Sequence, residues 1–238
     1  MRMLKQNILR LGVLSSACLS LLMIFTVRAA TLVDFSTSFG SFEVQLYDDQ
    51  TPATVANFLA YVENNLYDNT IIHRSIPGFI IQGGAYSLSG SQLTPVPTYA
   101  PIQNEAGISN VRGTIAMAKV SGDPNSATSQ WFFNLSDNSA NLDAQDGGFT
   151  VFGQFIGDGM SVVDAMAGVP TYDASQSLGG DFTDLPLLNP ALTPDNLVMI
   201  NSIVVVPEPS PYALFSIGLA GMMLMPAGRR KASLTSLT

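Results

Sequence analysis

Arg74 stands inside an apolar run, "IIHRSIPGFIIQGG" (residues 71–84), that closes on a glutamine and two glycines. A guanidinium stays protonated throughout the accessible range, so it cannot shuttle protons. What it can supply is a permanent, forked hydrogen-bond donor. The plainer alternative is an arginine tied to a neighbouring Asp or Glu. His73, the only histidine, could in principle serve a serine as base, but no Gly-x-Ser-x-Gly elbow occurs. The plainer reading is a histidine that packs and hydrogen-bonds beside Arg74. With one histidine and no cysteine after residue 18, neither a zinc site nor a Cys–His nucleophile can be assembled. No phosphate-cradling glycine loop is present. An enzyme built from this chain works without an obvious nucleophile, metal or cofactor.

The elements that must position Arg74 are mostly strands. "LVDFSTSFGSFEVQLY" (32–47) alternates apolar and polar residues on both sides of Phe39-Gly40, as a hairpin does. "TPATVANFLAYVENN" (51–65) predicts a helix with Thr51 as N-cap, Pro52 at the first helical position and an apolar stripe of Val55, Phe58, Leu59 and Val62. Strand-like runs follow at 70–74, 78–83, 111–119, 130–135 and 149–155. A short helix fits 159–167, stopped by Gly168, and 196–206 is a final strand. Many strands with two short helices predict a mainly β, closed antiparallel barrel. Residues 85–101 and 170–195 are rich in Gly, Pro, Ser and Thr and read as loops. Asp173, Asp181 and Asp184 in the second lack the regular spacing of a calcium loop.

Charge separates this domain from its ends. Of 238 residues, ten are Lys or Arg, and only Arg74, Arg112 and Lys119 fall between residues 31 and 206. Against them stand 17 carboxylates, a surplus of about fourteen negative charges. Nucleic acid is not a partner for such a surface, since phosphate binding needs clustered cations. Residues 1–10 are basic, Leu11–Val27 is apolar and uncharged, and "VRAA" (27–30) suits a signal peptidase. Residues 1–30 therefore read as a secretory signal cut after Ala29 or Ala30, with a permanent anchor as the rival reading. The only cysteine, Cys18, lies inside this segment, so the exported domain has no disulfide. At the far end, residues 207–238 contain Pro207-Glu208-Pro209, an apolar stretch from Tyr212 to Gly228, and the cluster Arg229, Arg230, Lys231. That stretch just spans a bilayer core, with its cations left on the cytoplasmic side. It could be a plain tail anchor. The three-part pattern also resembles the PEP-CTERM sorting signal, whose tail an exosortase removes.

Several long motifs in unbroken order carry a second resemblance. "IHRSIPGFIIQGG" (72–84), "RGTIAMAK" (112–119), "SATSQWFFNL" (126–135) and "LDAQDGGFTVFGQFIGDGMSVVDAM" (142–166) resemble the successive blocks of the cyclophilins, exported bacterial ones above all. The resemblance runs through residues 31–170. It implies a closed eight-stranded antiparallel β-barrel capped by two α-helices, and peptidyl-prolyl cis-trans isomerase activity without metal or cofactor. It also implies a site. Arg74 is the donor to the twisted amide, and Gln82 binds the substrate backbone and helps hold the arginine. Phe79, Ile80, Phe132 and Leu142 wall the proline pocket. Ala118 and Lys119 form the edge along which a peptide lies, Gln130 is a further polar residue beside the groove, and Phe149 completes the substrate-binding set. Phe79 and Phe132 could equally be core aromatics on sequence alone.

Some positions depart from that pattern. Ile80 replaces methionine, Lys119 stands where asparagine is typical, and Trp131 replaces a phenylalanine beside the pocket. Asn141 falls where many relatives have Trp or Phe, and Phe149 where many have His or Tyr. Residues 143–148 look like an insertion. Two functions follow: an isomerase assisting the folding of exported proteins, or a catalytically weak module that displays a proline-peptide groove at the cell surface or in the extracellular matrix. The expected partners are proline-containing peptides, unfolded exported proteins, signal peptidase and an exosortase. The membrane is touched at least transiently through the C-terminal helix, and the domain works in the periplasm, on the outer surface or outside the cell.

Overall fold

The structure, a computed structural model, describes residues 30–207. The signal segment with Cys18 and the tail from Glu208 onward lie outside the described residues. Among the described residues, no helix is long and apolar enough to cross a membrane.

The chain runs β1 (Leu32–Thr37), β2 (Gly40–Leu46), α1 (Pro52–Glu63), β3 (Thr70–Ile71), β4 (Arg74–Ile76), β5 (Ile80–Gly83), β6 (Tyr86–Ser89) and β7 (Gln92–Pro95). It continues as β8 (Thr114–Met117), β9 (Trp131–Asn134), α2 (Ser139–Leu142), β10 (Val151–Phe155), α3 (Gly159–Ala167), β11 (Thr171–Tyr172), α4 (Ser175–Leu178), β12 (Leu185–Pro186) and β13 (Met199–Val205). Eleven strands form one antiparallel sheet in the order β4-β5-β9-β8-β10-β2-β1-β13-β3-β6-β7, and β11 pairs with β12 apart from it. β4 is first in that order and β3 ninth, yet only Ile72 and His73 separate them. A link that short reaches about 10 Å, so the sheet must curl round on itself. Ile72 N–H donates to Val198 O at 2.9 Å, and His73 N–H donates to Gln82 O at 3.1 Å.

Period-two alternation sends one side chain of each strand inward and the next outward. The inward set is unusually aromatic. Phe35, fully buried, packs on Phe42, Phe58, Trp131 and Phe133 with ring centroids 5.1–6.2 Å apart. α1 buries Val55, Phe58 and Val62 as expected, and it adds Tyr61 while leaving Leu59 partly exposed. Thr51 precedes α1 but makes no cap through its side chain, whose hydroxyl donates instead to Tyr47 O at 3.3 Å. The first-turn donors of Ala53 and Thr54 are met by Glu105, at 3.2 and 2.8 Å. A carboxylate at that positive helix end is favourable.

Both expected loops hold regular structure. β6 and β7 form a hairpin inside residues 85–101, and β11, α4 and β12 fall inside 170–195. The reason is a satellite core on the outside of the sheet. Ile71, Phe182, Leu185, Leu187 and Leu197 are buried there with Tyr86, Leu88 and Leu93 packed on them. Asp173, Asp181 and Asp184 do not converge. Asp173 accepts from Ser175 N–H, Asp181 accepts from the Tyr86 hydroxyl, and Asp184 lies beside Arg74.

Candidate active site

Strand register sets the site. Arg74 of β4 lies opposite Gln82 of β5, and Gln82 lies opposite Phe132 of β9. Phe132 faces Ala116 of β8, which faces Val151 of β10. Five neighbouring strands thus present one row of side chains on the outward face, beginning with an arginine and ending in apolar residues. The alternate residues Ile81, Phe133 and Ile115 go into the interior core.

Arg74, Phe79, Ile80, Gln82, Ala118, Lys119, Gln130, Phe132, Leu142 and Phe149 all line one groove of about 460 Å³. Its floor is a separate apolar cluster. Ile80, Ala116, Phe132, Leu142 and Val151 are buried, with Phe79, Ala118 and Phe149 packed against them. Phe132 and Phe149 meet edge to face at 5.7 Å. Phe79 and Phe132 therefore belong to the groove and not to the interior core. The backbone that carries Phe79 is tied down, since its carbonyl accepts from Leu135 N–H and from Asn138 Nδ2, each at 2.9 Å.

The polar side of the groove is a relay of amides. Gln82 Nε2 donates to Gln130 Oε1 at 2.8 Å. That bond commits the Gln82 amide nitrogen, which leaves its oxygen to accept from Arg74 Nη1 at 3.5 Å. Arg74 Nε lies 3.8 Å from Asp184 Oδ2, with both side chains more than a third exposed. A pair that long and that wet contributes about 0–1 kcal/mol. The arginine is steered by its neighbours without being consumed by them.

Sequence reasoning missed the rim formed by Gly180, Asp181 and Thr183, which line the groove beside Arg74. The next residue, Asp184, ties this segment to β4, since its carbonyl accepts from Ser75 N–H at 2.9 Å. Trp131 requires a correction. It is fully buried in the interior core, 4.8 Å from Phe133, and does not stand beside the pocket, because alternation turns it to the opposite face from Phe132. Lys119 does reach the groove, but its ammonium is turned to the insertion at 143–148.

His73 also lines the groove, while its ring is buried edge-on to Tyr86 and Phe182. It packs as expected, yet Nδ1 has no hydrogen-bond partner. Burial lowers its pKa from 6.5 to about 4, against an upward pull from Asp181 and with a further downward push from Arg74. The sign follows from linkage: a folded value below the unfolded one gives stability that is full above pH 6.5 and is lost as pH falls toward 4. Between pH 6 and 8 the histidine stays neutral and turnover by the wild type is expected to be nearly flat. A bell-shaped kcat/KM profile in that range, abolished in His73→Gln, would show instead that His73 acts as acid or base.

The family described as cyclophilin type peptidyl-prolyl cis-trans isomerase/CLD matches residues 32–180. A peptidyl-prolyl cis-trans isomerase of Acinetobacter baylyi is 47% identical over 146 residues, covering 60% of this chain and 75% of the relative. Peptidyl-prolyl cis-trans isomerase B of Escherichia coli is 43% identical over 146 residues, covering 59% and 86%. A crystal structure of a Cryptosporidium parvum cyclophilin type peptidyl-prolyl cis-trans isomerase superposes with a TM-score of 0.54 at 25% identity, covering 76% of this chain and 99% of that one. The same Cryptosporidium protein, in the presence of the dipeptide Ala-Pro, gives 0.53 at 26%, covering 74% and 99%. By the matched length, the motifs and the shared fold, the chain belongs to the cyclophilin family.

Proposed function

We infer that the protein is a peptidyl-prolyl cis-trans isomerase whose groove rotates X-Pro bonds. The barrier to that rotation is about 18–20 kcal/mol, because the nitrogen lone pair is delocalised into the carbonyl. Unaided X-Pro exchange takes tens to hundreds of seconds, so millisecond turnover requires roughly 6 kcal/mol off the barrier. No bond breaks, and no nucleophile is needed. The proline ring is gripped by Phe132, Ile80, Leu142, Phe79 and Phe149, while Gln82, Gln130 and the Ala118–Lys119 edge hold the peptide backbone. As the amide twists, its nitrogen becomes pyramidal and regains a lone pair, and Arg74 donates to it. The observation that carries this reading is the register row: a guanidinium held by an amide relay directly beside an apolar floor. A protease-coupled isomerisation assay on residues 31–206, using a cis X-Pro peptide, tests it. Tight Ala-Pro binding without acceleration would favour the binding-module reading instead.

The sheet is further read as a closed eight-stranded barrel, with α1 and α3 as its two caps. The bonds of Ile72 and His73 support this, because they let residues 70–76 act as one stave touching both β13 and β5. The same reading places the domain at 31–206, between a signal and a sorting tail. It is supported at both edges: Thr31 donates through N–H and hydroxyl to Asp48 at 2.8 and 2.7 Å, and Val206 N–H donates to Leu32 O at 2.9 Å. Its clients are then unfolded exported proteins, and its processing enzymes are signal peptidase and an exosortase. In the native host, intact mass is expected to show a chain beginning at Ala30 or Thr31 and ending near Pro207-Glu208-Pro209. A membrane-bound species that still contains Lys231 would overturn the sorting reading and leave the isomerase reading standing.

A further inference from the structure

Lys119 lies in the wall of the groove beside Phe149, where Asn110 also holds the Asp143 carboxylate and the Phe149 carbonyl. Its Nζ donates to the carbonyl oxygens of Asp146 at 2.6 Å and Gly148 at 2.7 Å, and lies 4.7 Å from the centroid of the Phe149 ring. Two carbonyls and an aromatic face make a three-sided cage, and an ammonium has three donors to meet them. The turn that presents these carbonyls is built by Asp146, Gly147 and Gly148, whose φ values are all positive, at 50°, 81° and 80°. Converging carbonyl dipoles repel, and a cation between them offsets the repulsion. Other ties exist: Asn104 Nδ2 donates to the carbonyls of Gly147 and Gly148, and Gly122 N–H donates to Asp146 Oδ2. Asn104 cannot supply positive charge, however, and Gly122 holds only a side chain. Burial lowers the lysine pKa against the upward pull of Asp146 and Asp123.

The loop matters because of what flanks it. Leu142 precedes it, Gln145 sits within it, Phe149 follows it, and all three line the groove. We propose that Lys119 is a positioning residue whose ammonium serves as a built-in cation, folding the 143–148 insertion so that Leu142 and Phe149 close on the proline ring. This rests on the isomerase reading of the same groove. The resemblance places Lys119 on the edge along which a peptide lies, and its side chain has a different task. The wall it shapes contacts substrate in the ground state and transition state alike, so its loss falls on KM more than on kcat.

The test is chemical rescue. In Lys119→Ala, KM for an X-Pro peptide is expected to rise about ten- to a hundredfold, as for the loss of one charge-assisted hydrogen bond, with kcat within about twofold. Millimolar n-propylammonium, which replaces the missing stem and its donors, should return KM toward the wild-type value. Tetramethylammonium, with charge but no N–H, should not. Lys119→Met, whose apolar stem fills the cage, should show the raised KM without rescue, which separates a lost cation from a misfolded variant. An unchanged KM, or a raised KM in Lys119→Ala that propylammonium does not lower, overturns the proposal. Wild type that binds Ala-Pro without isomerising peptides would instead overturn the isomerase reading.

Discussion

Replacing Arg74 by alanine is expected to lower kcat/KM by 10²- to 10³-fold, equivalent to about 2.7–4 kcal/mol of lost transition-state stabilisation. The size follows from what the guanidinium meets. In the ground state the prolyl nitrogen has no lone pair to offer, so the donor bond exists only near the top of the barrier, and kcat should fall with kcat/KM. Ala-Pro binding, measured by calorimetry, should weaken far less. Arg74→Lys keeps the charge but loses the fork and the reach from Gln82, and should recover only part of the rate. Stability is not the confounder, since the long, wet pair with Asp184 contributes about 0–1 kcal/mol. Equal losses in Ala-Pro affinity and turnover would mean that Arg74 merely positions the substrate.

The second large effect lies two residues beyond Gln82, at the glycine that ends the opening motif. Gly84 has φ +79°, and a Cβ there would stand 2.5 Å from the Ser129 carbonyl oxygen and 3.0 Å from Trp131 Nε1. Left-handed backbone costs an L-residue about 1–2 kcal/mol, and forcing a methyl against a backbone atom adds about 1–3. Gly84→Ala should therefore destabilise the domain by roughly 2–5 kcal/mol. At about 2–4 °C per kcal/mol for a domain of this size, Tm should drop by roughly 4–20 °C. Gly90→Ala supplies the comparison, because Gly90 shares the positive φ, +63°, with nothing within 4 Å of its Cβ position. It should cost only the backbone share. Thermal melts followed by fluorescence of Trp131, the one tryptophan, give both numbers. Equal melting points for the two variants would refute the close-contact argument.

Much of the groove was legible because strands alternate with period two. With Arg74, Gln82 and Phe132 on strands, the observed register brings them to one face, and the motif resemblance named them as one site. The same alternation should have sent Trp131 inward, since it adjoins Phe132 on one strand. The resemblance puts Phe132 in the pocket wall and Trp131 beside it. The satellite core was not legible. Phe182, Leu185 and Leu187 are scattered through a stretch rich in Gly, Pro, Ser and Asp, and their partners Ile71 and Leu197 are remote in sequence. Glu105 capping α1 from 52 residues away has no local signature either. Nor does the relay from Gln130 through Gln82, because amide orientation is decided by which partner claims the nitrogen.

β1 pairs with β13, Val33 opposite Val205, and that seam fixes when the fold can be finished. A chain emerging N-terminus first can make the β1–β2 hairpin early, but the outer edge of β1 stays open until nearly the last residue of the domain has arrived. Contacts that distant form late and slowly, and an open strand edge invites pairing with any other extended chain nearby. The groove side, whose strands β4, β5, β8, β9 and β10 all precede residue 156, can assemble before the seam does. A ribosome or translocase that stalls short of Met199 would therefore hold a chain with its groove strands present and its sheet unsealed.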